Sequence, residues 1–339
     1  MTNPVDLEAL VRLIGPDSRP NLNPLMMKLR NLDALALSVK YFGYELAHSL
    51  AQSLPVRSGL FPRHVGLRSK PSTQADLESE WAAVWLQELK LPFVYHRKLW
   101  EFAYVLQAIW EHGSLRENAR GLGFGCGMEP LPSYLAARGV DVTVTDLEPQ
   151  QSAAAGWLRT AQHAATLDHA YKADLVDRAT FDRRARLEFV DMTAIPKHLQ
   201  DYDFCWSICA FEHLGSIAAG LDFIANSLAT LRPGGLSVHT TEFNFLDDRQ
   251  TIDNWPTVLF QKRHFAAIAE RLRAAGHQVA ELDFDVGMKP LDRFVDVPPW
   301  AHDMSDYMKG TWGTHTAHLK LAIDGFVSTC FGLVIVKAE

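Results

Sequence analysis

The sequence predicts an α/β protein: a doubly wound, mostly parallel sheet of seven strands with a helical cap before it and an insertion before the last strand. Three observations carry this expectation. Apolar residues recur at helical spacing up to Gly113; beyond Arg120 short apolar runs alternate with helical stretches; and a glycine-rich run lies between the first of those runs and the next helix. The cap is assigned to 1–113, the sheet domain to 114–339 and the insertion to 287–324.

From Asp6 to about Leu54 the apolar spacing is helical, in LEALVRLI and again in LDALALSVKYFGYELAHSLAQSL. Three prolines among basic residues make 55–72 a connection. A third helix is expected from Thr73, whose hydroxyl can cap it, burying Trp81, Val84 and Trp85. After Pro92, the residues Leu99, Phe102, Ala103, Leu106, Ile109 and Trp110 fall on one helical face, and Gly113 ends that helix. Strands are then expected at 119–124, 141–145, 186–190, 203–208, 235–241, 278–285 and 328–336, with helices near 131–138, 149–164, 176–184, 217–231 and 262–275 between them. The stretch 287–324 is too long for a hairpin turn and is a candidate for acceptor binding.

Composition bounds the function. With 339 residues, 47% apolar and 22% charged, the chain has ample material for a packed core. A net charge of −7 with scattered Lys and Arg shows no basic face, so no nucleic-acid partner is expected. No segment approaches the roughly 20 apolar residues of a membrane span, and MTNPVDLEAL lacks the pattern of a secretory signal, so a cytoplasmic location is expected. Cys126, Cys205, Cys209 and Cys330 form no CxxC pair and fit reduced, buried thiols better than disulfides or zinc.

In Gly121-Leu-Gly123-Phe-Gly125-Cys-Gly127-Met-Glu129-Pro130, glycines let the backbone take positive φ and let a ligand come closer than a Cβ would permit. Such a turn alone also suits NAD(P) and flavin folds. Asp146, at the end of the next strand, can accept hydrogen bonds from both hydroxyls of a ribose. A dinucleotide pyrophosphate favours bare N–H groups at a positive helix end, where this chain carries Glu129; an aminosulfonium ligand tolerates that acid better.

Gly123-Phe-Gly125-Cys-Gly127, Asp146, Asp191-Met192, the run YDFCWSICAFEHL and the turn Leu231-Arg-Pro-Gly234-Gly235 together resemble the successive motifs of class I S-adenosylmethionine-dependent methyltransferases, over roughly residues 119–245. The resemblance implies a Rossmann-like sheet whose last strand, GLVIVKA, is antiparallel and inserted between its neighbours. It also implies that Gly123, Gly125 and Gly127 form the cofactor turn near the methionine part, that Asp146 holds the ribose, and that Asp191 and Met192 frame the adenine. Ser207, at the next strand end, is placed with the cofactor group, and Glu129, Tyr95 or Lys98 would contact its amino-acid end. Two positions depart from the common pattern: Gly123 where many members carry an acid, and Glu129 where many carry glycine. YHRKLWEF, GLGFGCGMEPLP and HTTEFNF look like methyltransferases that accompany glycosyltransferases in bacterial polysaccharide clusters.

The residues after the fourth and fifth strands should face the reacting centre. An alcohol acceptor must lose a proton, so His213 and His239 are the candidate bases and Glu212 the acid paired with His213. A related metal-binding pattern, Glu-x-x-Glu-His, stands here as Cys209-x-x-Glu212-His213, one carboxylate short; Glu242 or His264 would have to complete it, and no metal is expected. Glu242, Asn244 and Tyr307 are expected to bind the acceptor, a small polar molecule or glycan. O-methylation is the favoured reaction; N-methylation of a small molecule and an NAD(P)-dependent oxidoreductase are the alternatives. Trp300 and Trp312 are expected to pack the insertion onto the helical segment.

Overall fold

Helices around one short strand make up the N-terminal third. The computed structural model describes residues 12–19, 22–149, 164–300, 306, 310 and 316–339. Helix α1 (Leu22–Gln52) runs 31 residues and turns Lys40, Tyr44 and Ala47 inward. Lys40 Nζ lies 2.6 Å from Asp296 Oδ1, and the Tyr44 hydroxyl, His318 Nδ1 and the Val297 N–H reach the same carboxylate. Burying an ion pair is offset only when its remaining polar atoms are satisfied, and these donors do that while tying α1 to the insertion. Trp300 packs edge-on against His318 and beneath the Lys40 ammonium, as expected; Trp312 lies outside the described residues.

After β1 (Lys70–Pro71), the Thr73 hydroxyl caps α2 (Gln74–Leu77) by accepting the Asp76 N–H. The single helix expected here is interrupted, because Ser79 acts as a second cap, accepting the Ala82 N–H and starting α3 (Glu80–Glu88). His96 Nδ1 accepts the Lys98 N–H at the start of α4 (Arg97–Glu111), and Gly113, at φ 74°, closes it. Helix α4 lies between α3 and strands of the sheet, so even its Glu101 and Gln107 are buried. Gln107 Oε1 accepts the indole N–H of buried Trp85 at 2.6 Å.

The sheet begins with β2 (Arg120–Phe124) and continues through α5 (Leu131–Ala137), β3 (Asp141–Asp146), α6 (Arg178–Arg184), β4 (Ala185–Phe189), β5 (Tyr202–Ile208), α7 (Ile217–Ser227), β6 (Leu231–Asn244) and α8 (Lys262–Ala274). It ends with β7 (Gln278–Val279), α9 (Pro290–Arg293), β8 (Leu321–Ile323) and β9 (Phe326–Val336). Parallel strands lie in the order β4-β3-β2-β5-β6, and β9 adds antiparallel to β6. The doubly wound sheet and its antiparallel last strand are as expected. The count differs: the outer edge of β9 is shared by three short strands, with β7 pairing Ile335 and Val336, β1 pairing Phe331 and Gly332, and β8 forming a hairpin. The strand expected over 278–285 therefore shrinks to two residues. The helix expected near 149–164 falls almost wholly outside the described residues.

Two apolar cores flank the sheet, one built from α3, α4 and α5 and containing Trp85, Trp100 and Trp206, the other from α7 and α8 with Phe223, Phe260, Phe265 and Phe331. Each such large side chain contributes about 1.5–3 kcal/mol on burial. Among the described residues no helix is long and apolar enough to cross a membrane.

Candidate active site

A cavity of about 570 Å³ opens at the carboxyl ends of β2, β3 and β5, at the point where strand order reverses, and Lys98 and Phe102 of α4 form part of its wall. Its floor is the bend after β2. Gly125 and Gly127 have φ of 60° and 53°, values that side chains with a Cβ rarely adopt. A Cβ on Gly125 would also come within 2.8 Å of the Ala210 Cβ and project toward Met192. The bend is held by the Cys126 N–H, donating to the Thr145 carbonyl, and the Gly127 N–H, donating to Asp146 Oδ2 at 3.2 Å.

Asp146 lines the cavity with its carboxylate fixed further by the N–H groups of Leu147 and Ala164. Asp191 and Met192 are on the wall as well; Asp191 Oδ1 accepts both the N–H and the hydroxyl of Thr193, which turns the chain so that Met192 faces inward. Gly123 and Ser207 are not on the wall. Gly123 is needed for packing, since a Cβ there would collide with Trp206 and Cys126, and Ser207 is buried within β5, where its hydroxyl bonds His239 Nδ1 at 2.7 Å. Glu129 reaches the cavity in an unforeseen form. Burial pushes its carboxyl up to about 8, outweighing the Trp206 indole N–H that Oε1 accepts at 2.7 Å and that favours the anion, so at neutral pH the carboxyl is mostly protonated. The charge argument against a dinucleotide therefore loses its basis. Tyr95 is buried elsewhere, donating to Glu78 Oε1, whereas Lys98 reaches the cavity.

Opposite the bend, Cys209, Ala210, His213 and Leu214 form the wall that follows β5. Burial lowers His213 to about 4, so its imidazole is neutral. Its Nδ1 lies 3.1 Å from the Pro256 carbonyl, which can only accept; Nδ1 therefore carries the proton and Nε2 is the basic nitrogen. Glu212 Oε1, buried and without a hydrogen-bond partner among the described residues, is 3.9 Å from that Nε2, and burial raises the Glu212 carboxyl to about 7. His239 does not join them. It is fully buried, with Nε2 at 2.7 Å from the Ser237 hydroxyl, and burial lowers it to about 3; the residue sits inside the sheet because β6 continues to Asn244.

That same extension removes Glu242 and Asn244 from the wall. Glu242 Oε1 is 2.5 Å from Arg97 Nη1 and its Oε2 accepts the Ser328 hydroxyl, while Asn244 Nδ2 donates to the Gln250 carbonyl. Tyr307 lies outside the described residues. Behind the wall, ligand atoms of Cys209, Glu212 and Glu242, and those of Glu101, Cys209 and Cys330, cluster within 4.8 Å. The positive charge at this cluster is the protein's own: Arg97 Nη1 lies 3.4 Å from Cys209 Sγ and 3.3 Å from Cys330 Sγ, and Lys98 Nζ lies 3.5 Å from Glu101. Burial works against the Lys98 charge, but Cys209 and Glu101 outweigh it and hold the ammonium above its usual range. The four cysteines are free thiols.

Sequence reasoning missed Phe102 and Leu147. Leu147 directly follows β3, a position that marks it; Phe102 falls on an apolar helix face and carries no such signal.

Residues 96–284, more than half of the chain, match the family described as a methyltransferase domain. The chain belongs to this methyltransferase family. No curated protein matches it. Solved structures similar to this methyltransferase include magnesium protoporphyrin IX methyltransferase from Synechocystis PCC 6803, at 10% identity, covering 71% of this chain and 86% of that one with a TM-score of 0.42. A phospholethanolamine N-methyltransferase from Haemonchus contortus has 15% identity, 69% and 52% coverage and a TM-score of 0.41. A SAM dependent methyltransferase from Aquifex aeolicus has 14% identity, 68% and 88% coverage and a TM-score of 0.36. Likenesses of this order say nothing of this methyltransferase's acceptor.

Proposed function

We propose that this methyltransferase takes its methyl group from S-adenosylmethionine and delivers it to an oxygen of a sugar or another small polar acceptor. The observation that carries the reading is the single cavity bounded by the Gly125–Gly127 bend and Asp146 on one side and the neutral imidazole of His213 on the other. The residues fit the cofactor. The bend leaves a cradle that a Cβ would fill, Asp146 supplies a carboxylate for ribose hydroxyls, Met192 and Val190 supply an apolar face for adenine, and Lys98 supplies a cation for a carboxylate. When bound, the cofactor supplies an electrophilic methyl group.

The chain's own part is placement and proton removal. Holding an acceptor in line with the methyl group accounts for much of the rate in such a transfer. An alcohol must also shed its proton, and His213 Nε2 is the basic nitrogen at the wall, with Glu212 placed to stabilise the imidazolium that forms. Phe102 and Lys98 place α4 over the cavity, where the N-terminal segment acts as a cap that excludes water. The cavity must hold cofactor and acceptor group together, which favours a small acceptor or the end of a glycan.

The test is turnover with deuteromethyl-labelled S-adenosylmethionine against sugars, phenols and amines, read by product mass. Label on a hydroxyl oxygen supports the reading; label on amines alone moves the acceptor atom to nitrogen. Tight S-adenosylhomocysteine binding without turnover on any acceptor would make the protein a binding module. Thermal stabilisation by NADH alone would overturn the cofactor, since ligand binding raises stability by mass action.

A further inference from the structure

Among the described residues, helix α1 meets the body of the protein along one face, through Lys40, Gly43, Tyr44, Ala47, Leu50 and Ala51. Beside that face runs an uncovered apolar stripe: Leu32, Leu35, Val39, Phe42 and Leu46, exposed by 60%, 61%, 39%, 71% and 38%. Steps of three and four residues alternate along it without a break, which is the heptad spacing of a helix–helix seam rather than of a face meant for a sheet.

We propose that this stripe is an interface with a second copy of the same chain, the two α1 helices packing antiparallel about a two-fold axis at Val39. The spacing is a near mirror about that residue: Leu32 and Leu46 lie seven residues to either side, and Leu35 and Phe42 four and three. A two-fold axis there sets Leu32 against Leu46 of the partner subunit and brings Leu35 to within one residue's rise of the partner's Phe42, so each large side chain has another beside it. Five side chains this exposed cover on the order of 500 Å² per copy, and two copies reach the roughly 1,000 Å² that a specific interface needs. A contiguous apolar patch of this size marks an interaction site.

Charge argues for a protein partner over a lipid surface. Along α1 the exposed charged residues are Lys28, Arg30, Asp33 and Glu45, two of each sign, and Lys40 is buried against Asp296. An interfacial membrane helix is rich in lysine or arginine beside its apolar face, whereas this helix shows no excess of exposed basic residues.

Sedimentation equilibrium of the full chain from low to high micromolar concentration tests the proposal. A species of twice 38.0 kDa is expected. Leu35→Glu combined with Phe42→Glu places charge only on exposed positions, so the circular dichroism spectrum should be unchanged while dimer dissociation constants rise about a hundred-fold or more. Under copper phenanthroline, Val39→Cys should cross-link to its counterpart, whereas Leu46→Cys should not, its copies lying about 20 Å apart in this arrangement. The proposal is overturned by a wild-type monomer throughout that range, by a dimer indifferent to the double substitution, by equal cross-linking at the two positions, or by a stripe that instead holds phosphatidylcholine–phosphatidylglycerol vesicles.

Discussion

The carboxylate of Asp146 accepts the Gly127 backbone N–H at 3.2 Å, so the end of β3 and the glycine bend after β2 hold each other in register at the floor of the cavity. Both halves of the proposed cofactor cradle thus depend on one side chain. Asp146→Asn keeps the shape and loses the charge. Calorimetric titration with S-adenosylhomocysteine should show binding weakened by about 1–3 kcal/mol, the scale for leaving polar partners poorly matched. An undiminished affinity would mean that the ribose is gripped elsewhere.

Glu212 and His213 should couple in the pH profile. Burial holds the Glu212 carboxyl at about 7, and its Oε1 lies 3.9 Å from His213 Nε2. Ionisation of Glu212 then places an anion where the imidazolium forms, which favours proton uptake by His213. The rate constant kcat should rise with pH through a midpoint near 7, and Glu212→Gln should remove that limb and lower the plateau by roughly ten- to a hundred-fold. His213→Ala should lower kcat more than KM. An unaltered profile in Glu212→Gln would separate the two residues.

The sheet was legible because its periodicity is local: strands and helices alternate within a few residues, and the glycine turn, Asp146 and Asp191-Met192 each sit at a strand end fixed by that alternation. What failed to be legible was how far β6 runs. Ladder pairing with β9 extends it to Asn244, which carries His239, Glu242 and Asn244 into the interior instead of onto the wall. Pairing with a strand some ninety residues later leaves no local mark. Glu129 shows a second limit: the sequence places it beside the bend, but its charge is set by burial, which only the folded chain supplies.

His239 should behave as a core residue. Its ring bonds the hydroxyls of Ser207 and Ser237 inside the sheet. His239→Ala leaves both hydroxyls without that partner and opens a void, so urea unfolding should show a loss of about 2–4 kcal/mol. Below the unfolding range its kcat should match that of the wild type. A large fall in kcat with unchanged stability would return His239 to the chemistry.

Arg97 and Glu242 form a buried pair at 2.5 Å whose members also face Cys209, Cys330 and Ser328. Removing one partner strands the other charge in the interior. Arg97→Met should cost about 3–5 kcal/mol in chemical denaturation, and adding Glu242→Gln should restore part of it, because the stranded anion is then gone. Additive losses in the double variant would show that the two side chains do not interact.

Glu129→Gln tests the protonation of the cavity acid. In the fold burial holds this carboxyl at about 8, against an ordinary value of 4.5. Between those values the folded chain keeps a proton that the unfolded chain has released, so the stability present below about pH 4.5 is lost progressively as pH rises toward 8. Glutamine retains the Oε1 that accepts the Trp206 indole N–H but has no proton to lose. The variant and wild type should therefore unfold alike near pH 5, and the variant should be more stable near pH 8 by on the order of 3 kcal/mol. Parallel stability curves across that range would mean that Glu129 is ionised in the folded state, and an anion in the bend would then again weigh against any phosphate-bearing cofactor.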